Sequence, residues 1–344
     1  MKIAQISPVF ESVPPKGYGG TERIISYLTE ELVCMGHQVT LFATADSVTA
    51  ARLAPTAPVS IRAVPGRTDW LAYQTMCMDM VAERAQEFDI LHFHTDYLHL
   101  PLAKRLNRPH LTTIHGRMDL PELPPLYRHF KDLPLASISD SQRSPAPFAN
   151  WAGTVHHGLP KDLFSFNAKP GEYFAFVGRI SREKRVDRAI EIAGRCRRML
   201  HVAAKIDPAD QDYFTNTIRP LFNKPWVRYL GEVGQAEKRE LLENARALLF
   251  PIDWPEPFGI VMIEALSCGT PVIAYRHGAT PEVIEHGVTG FIVENMDEAT
   301  HAAALVHELD RHACRAAFEQ RFTSRRMAQD YLRLYEDLIH QGHA

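Results

Sequence analysis

The sequence has no long apolar run: nothing in its 344 residues approaches the roughly 18–20 consecutive apolar positions needed to cross a bilayer. Its first residues lack a charged start followed by an extended apolar core, so no secretory signal is read there. Cysteine is sparse and odd in number. The five (Cys34, Cys77, Cys196, Cys268 and Cys314) are scattered without any C-x-x-C, which points to reduced thiols in a cytoplasmic protein rather than a disulfide framework. An excess of one charge is also missing. With 38 basic and 41 acidic residues the net charge is −3, so no global field attracts nucleic acid and no nucleic-acid partner is expected. Neither G-x-x-x-x-G-K-[ST] nor a full G-x-G-x-x-G occurs, which disfavours P-loop and dinucleotide enzymes.

What is present reads as ordinary globular protein, 45% hydrophobic and 23% charged, long enough for two domains. Residues 2–7 form an apolar run, 8–20 a Pro/Gly-rich loop, and 38–43 a strand. Between them Ile24, Ile25, Leu28, Leu32 and Met35 share one helical face, stopped by Gly36. Further strands are expected at 90–94, 111–115 and 135–139, then a linker over 150–169. The alternation then restarts with strands at 173–177, 202–206, 227–230, 248–251 and 271–275. Helices are expected at 182–195, 235–247, 258–268 and 327–339. This predicts an α/β protein of two Rossmann-like, doubly wound domains facing each other across a cleft.

Three segments carry chemistry. Gly17-Tyr-Gly-Gly-Thr-Glu22 follows the first strand, where glycines let backbone N–H groups approach an anion at a helix start. Phe176-Val-Gly-Arg-Ile-Ser-Arg-Glu-Lys184 brings an arginine fork and a lysine to a strand-to-helix turn, a pairing suited to a diphosphate. Glu256-Pro-Phe-Gly-Ile-Val-Met-Ile-Glu264 sets two carboxylates eight residues apart around a glycine that starts a helix. Glu264 lies in an apolar stretch and needs partners, which ribose hydroxyls or an internal cation would supply.

Taken together, Gly-Gly-Thr-Glu, Thr113-Ile-His-Gly116, Gly-Arg-Ile-x3-Lys, Glu-x7-Glu, Gly269-Thr-Pro-Val272 and Gly278-Ala-Thr-Pro-Glu282 resemble the retaining glycosyltransferases of family 4, over nearly the whole chain. The resemblance implies the GT-B fold, with residues 1–160 on the acceptor side and 161–325 on the donor side. A helix at 326–344 would return to the first domain. It implies that Arg179 and Lys184 neutralise the donor diphosphate and that Glu264 binds the ribose. Glu256, with the Phe258, Gly259, Ile260 and Val261 backbone, would hold the donor sugar, and Val233 would border the base. Gly19 and Gly20 would close on the phosphate, and His115 would lie near the transferred sugar. It implies a metal-independent reaction with no cofactor beyond the nucleotide diphosphate sugar, UDP-linked hexoses being favoured over GDP-linked ones. The acceptor would be a carbohydrate, a lipid-linked sugar or a small molecule, and peripheral membrane contact stays open. Two departures stand out: Arg185 follows the lysine where many relatives have glycine, and the linker has His157-Gly158 instead of Asn-Gly.

His92-Phe-His94-Thr-Asp96 supports a different reading, a metal-dependent hydrolase, since His-x-His with a nearby aspartate is a metal-ligand spacing. A nucleotide-sugar epimerase of the same architecture is a further alternative.

Overall fold

The computed structural model describes every residue except 18, 65, 67, 68, 170 and 342–344. The chain divides into two compact units. Residues 1–160 and 324–344 form the first, and residues 161–323 the second.

The first unit is built on a seven-stranded parallel sheet: β1 (Lys2–Ile6), β2 (Gln38–Thr44), β3 (Arg52–Ala57), β4 (Ile90–Phe93), β5 (His110–Thr113), β6 (Leu135–Ser137) and β7 (Trp151–Thr154). Their order is β3-β2-β1-β4-β5-β6-β7. The central strands are buried on both faces, as helix-covered parallel sheets require, and β4 is buried at every position. The helix Gly20–Cys34 buries Ile24, Ile25, Leu28 and Leu32 as its spacing predicts. A second helix, Trp70–Arg84, is started by Asp69, whose carboxylate accepts from the Leu71 N–H at 3.0 Å. It packs Cys77 and Val81 against Ile6, Phe42, Leu91 and Phe93.

The last helix, Ser324–Gln341, belongs to this unit. Met327, Ala328, Tyr331 and Tyr335 recur at helical spacing and are buried. The Ser324 N–H donates to the Leu159 carbonyl at 2.7 Å, and Arg326 donates to the carbonyls of His156 and His157 at 2.6 and 3.0 Å. A Cβ on Gly153 would stand 2.8 Å from Leu334, so glycine lets this helix lie close to β7.

The second unit has a six-stranded parallel sheet: β8 (Tyr173–Arg179), β9 (Leu200–Lys205), β10 (Val227–Gly231), β11 (Ala245–Phe250), β12 (Val272–Tyr275) and β13 (Gly290–Val293), ordered β10-β9-β8-β11-β12-β13. Its core joins Phe174, Val202, Ala247 and Leu249 of the sheet to Ile190 and Ala193 of the helix Val186–Arg195. Buried Arg311 ties segments together by donating to the carbonyls of Asn167, Ala245 and Glu243 at 2.6, 2.9 and 3.1 Å.

Several sequence boundaries need correction. Residues 150–169 are not simply a linker, because β7 lies within them as an edge strand. The helix expected from Arg182 starts at Val186, and the one expected from Phe258 starts at Ile260. In the second unit the helix after Gln235 ends at Glu243, and β11 begins earlier than residue 248, at Ala245.

Candidate functional site

In each sheet the strand order reverses once, between β1 and β4 and between β8 and β11. Open parallel sheets bind ligands beyond the carboxyl ends of their strands at such points. The second unit's reversal is where its charged motifs converge. Arg179 ends β8, and Lys184 follows in the turn before the helix Val186–Arg195. Glu256, Phe258 and Gly259 follow β11, and Ile260 and Val261 open the helix Ile260–Ser267. Gly259 has φ 81°, and a Cβ there would stand 2.9 Å from Met262 and 3.0 Å from Phe250. A glycine is therefore required to start this helix so close to β11. The first-turn N–H groups that begin here have no intrahelical acceptors, which gives the end a positive potential.

The cations at this point are all engaged. Arg179 donates to Glu183 at 2.7 Å and Asp207 at 3.4 Å, and its Nε lies 3.5 Å from Asp210. Burial alone would raise Glu183 and Asp207, but the hydrogen bonds and cations around them outweigh it and hold both below the ordinary carboxylate range. Asp210 is instead raised, burial outweighing Arg179, which makes it the weakest of the three partners. Asp210 also belongs to an Asp-x-Asp, Asp210-Gln-Asp212, so the expectation that the sequence lacks this motif, offered in support of a metal-independent reaction, does not hold. Lys184 pairs with Glu256, whose other donor is the Trp254 indole N–H at 2.8 Å. The Lys184 ammonium also lies 5.3 Å from the Trp254 ring centroid, within cation–π range.

Arg185 takes the left-handed conformation, φ 53° and ψ 50°, that glycine adopts without cost. Its guanidinium grips Asp187 and reaches Asp253 at 2.7 Å. It therefore ties the turn after β8 to the segment after β11.

Glu264 is buried, its side chain 4% exposed, and its partner is Lys238 at 2.5 Å. Nothing in the sequence singled out Lys238, because the pair joins two helices 26 residues apart. Val233 lies beyond β10, two strands from β8, just ahead of the helix that carries Lys238.

The remaining predicted residues are in the first unit. Gly19 caps the helix that Gly20 begins, after the loop that leaves β1. A Cβ on Gly19 would stand 2.7 Å from Pro15 Cβ, so glycine lets that loop fold back on itself. Tyr18, inside the same motif, lies outside the described residues.

His115 follows β5 and joins a buried polar network. Its Nε2 lies 2.8 Å from His94 Nδ1, and its ring stacks on His157 with centroids 5.4 Å apart. His94 Nε2 meets Gln5 Oε1 at 2.7 Å. His92 meets Tyr335 at 2.6 Å and Thr113 at 2.7 Å. Burial drives the His115 pKa down to about 3, and it depresses His92, His94 and His157 well below the ordinary value. His157, given no role from sequence, is thus part of the network.

These contacts do not favour the hydrolase reading. Both ring nitrogens of His92 and of His94 are already engaged, and Asp96 is exposed in a left-handed turn with φ 50°. Among the described residues no three His, Cys, Asp or Glu side chains are grouped to hold a metal ion.

Two family profiles divide the chain between them. Residues 18–143 match the one described as Glycosyltransferase Family 4, and residues 161–320 match Glycosyl transferases group 1. The chain belongs to the family 4 glycosyltransferases. This glycosyltransferase is 33% identical over 121 residues to N-acetyl-alpha-D-glucosaminyl L-malate synthase of Bacillus anthracis, an alignment covering 33% of this chain and 31% of that protein. The chain spans about a third of the length of that curated relative. Among solved structures, sucrose-phosphate synthase from Thermosynechococcus elongatus superposes with a TM-score of 0.81 at 18% identity, covering 99% of both chains. Anabaena HepE, solved with UDP and glucose, gives 0.72 at 19% identity, covering 98% of this chain and 100% of that one. Likeness at this identity establishes the fold, which is GT-B.

Proposed function

We propose that this family 4 glycosyltransferase moves a hexose from a nucleotide diphosphate sugar to a hydroxyl acceptor, retaining the anomeric configuration and using no metal ion. The observation that carries the reading is the convergence of Arg179, Lys184 and the helix start at Gly259 on one strand-order reversal. Transfer builds positive charge at the anomeric carbon and negative charge on the departing diphosphate. Two cations and a helix N-terminus aimed at the leaving group supply the stabilisation a metal would otherwise give. On donor binding the diphosphate takes the place of the carboxylates that now hold Arg179, with Asp210 displaced first. Glu256, oriented by Lys184 and Trp254, accepts hydrogen bonds from the donor sugar. Glu264, fixed by Lys238, receives the ribose hydroxyls, and the turn around Val233 borders the base.

UDP is the favoured carrier over GDP, in keeping with UDP and glucose bound to Anabaena HepE. The acceptor is a carbohydrate, a lipid-linked sugar or a small molecule, and the protein works in the cytoplasm. Among the described residues no helix is long and apolar enough to cross a membrane.

A thermal-shift series with UDP, GDP, ADP and dTDP in EDTA tests the donor site. A ligand that binds only the folded state raises Tm with the logarithm of its excess over Kd. One nucleotide is expected to raise Tm, and Glu264→Ala to abolish that rise. A series with no response, or a fall in Tm caused by EDTA alone, would defeat the proposal.

A further inference from the structure

The buried network of the first unit fixes more than the position of His115. Gln5, on β1, donates its Nε2–H to the Tyr335 hydroxyl at 3.1 Å, so its Oε1 is the acceptor facing His94 Nε2 at 2.7 Å. His94 Nε2 must then carry a proton. Burial keeps His94 neutral, and a neutral imidazole has one N–H, so His94 Nδ1 is an acceptor. That acceptor faces His115 Nε2 at 2.8 Å, which must carry the proton of the second ring. His115 is neutral as well, so its Nδ1 is a bare lone pair. This Nδ1 is buried and has no hydrogen-bond partner among the described residues. A buried acceptor without a donor is costly, and such groups concentrate where a ligand completes them.

We propose that Gln5 and His94 are positioning residues that lock His115 in its Nε2–H tautomer and so present the Nδ1 lone pair to a hydroxyl of a bound sugar. The hydroxyl rests on the sugar-transfer reading, whereas the tautomer rests on the hydrogen-bond chain and on both rings staying neutral. The consequence is chemical: on this side His115 can only accept a hydrogen bond. Tyr335 extends the chain to the last helix, so that helix takes part in setting the tautomer of a residue on β5's far end.

Ring-nitrogen 15N spectra of the full chain test the lock, with the His115 signals assigned by their loss in His115→Gln. At neutral pH the wild type is expected to show an unprotonated His115 Nδ1. Gln5→Met removes the acceptor for His94 and is expected to protonate that Nδ1 in part of the population. A protonated Nδ1 in the wild type overturns the proposal, whatever the enzyme transfers. UDP against UDP-glucose, GDP against GDP-mannose, and free glucose and maltose then identify the hydroxyl. A shift from a nucleotide sugar beyond its bare nucleotide marks the donor, a shift from a free sugar marks the acceptor, and no shift from either overturns the hydroxyl contact.

Turnover gives an independent arm. His115→Asn keeps an oxygen where Nδ1 stands, and His115→Gln keeps an amide where Nε2 stands. The Asn variant is expected to retain about tenfold more turnover, the effect of one net hydrogen bond. Equal turnover, or the reverse order, overturns the lone-pair role. A wild type without any transfer activity counts against the sugar-transfer reading, and the spectra still decide the tautomer.

Discussion

At the scale of single residues, charge at the proposed donor site is already balanced before any ligand arrives. Lys184 rests on Glu256 and Arg179 on Glu183, Asp207 and Asp210, so on the proposed reading a diphosphate would displace the carboxylates around Arg179 and join Glu256 at Lys184 rather than fill an unpaired positive patch. Lys184→Ala removes the cation proposed to meet the charge developing on the leaving group and strands Glu256 in a half-buried place. It is expected to lower kcat/KM by about a hundredfold or more, the size of effect seen when one transition-state donor is removed. Steady-state rates with the nucleotide sugar that stabilises the protein measure this, and near-wild-type turnover would remove Lys184 from the mechanism. Arginine is not expected to substitute, because its planar fork cannot occupy the place of a compact ammonium between Glu256 and the Trp254 ring. Arg185 illustrates how a departure from the family pattern is accommodated. A non-glycine residue in the left-handed region costs roughly 1–2 kcal/mol, and here the ion pairs to Asp187 and Asp253 offset that strain.

At the scale of elements, the proposed donor site depends on one loop lying against another. Gly278, with φ 54°, follows β12, and a Cβ there would stand 2.2 Å from the Glu256 carbonyl and 2.4 Å from the Glu256 nitrogen. The neighbouring Ala279 N–H donates to that same carbonyl at 3.0 Å. Gly278→Ala therefore has to push the Glu256 segment away. The variant is expected to lower Tm by several degrees and to abolish the nucleotide-induced rise, both read in one melting series. An unchanged ligand response would show that the Glu256 segment is not held from this side. The sequence made such motif glycines visible, as it did the helix faces and the strand-to-helix turns, because each has a local signature. It was silent where the signature was mixed. The helix Trp70–Arg84 exposes Trp70, Leu71 and Met76 as well as burying Cys77 and Val81, so its apolar residues do not fall on one stripe. Strands β3 and β7 are sheet edges, one containing Pro55 and the other half-buried throughout, and neither shows the apolar run of a central strand. Lys238, Asp207 and Tyr335 reach their partners through the fold, and no spacing along the chain announces them.

At the scale of the whole molecule, the buried histidines make stability depend on pH in one direction. His92, His94, His99, His115 and His157 all have pKa values depressed by burial, His115 to about 3. In the unfolded chain each titrates near 6.5. Below that pH the unfolded state takes up protons that the folded state refuses, so stability falls as pH falls and keeps falling until the folded-state values are reached. For one such group the loss at pH 5.5 relative to pH 7 is about 1.3 kcal/mol, and five together give roughly 6 kcal/mol, comparable to the whole stability of a domain. These rings lie in the unit built on β1–β7, so that unit is expected to lose its fold in mild acid, between about pH 6.5 and 5, while the unit built on β8–β13 holds. Urea titrations at half-unit pH steps, read by hydrogen exchange at Leu91 and Leu249 as reporters of the two cores, check both the slope and its place. A flat stability between pH 7 and 5.5 would mean that the rings are charged or rehydrated in the native state. The bare lone pair assigned to His115 would not survive that result, since it requires the same rings to stay neutral.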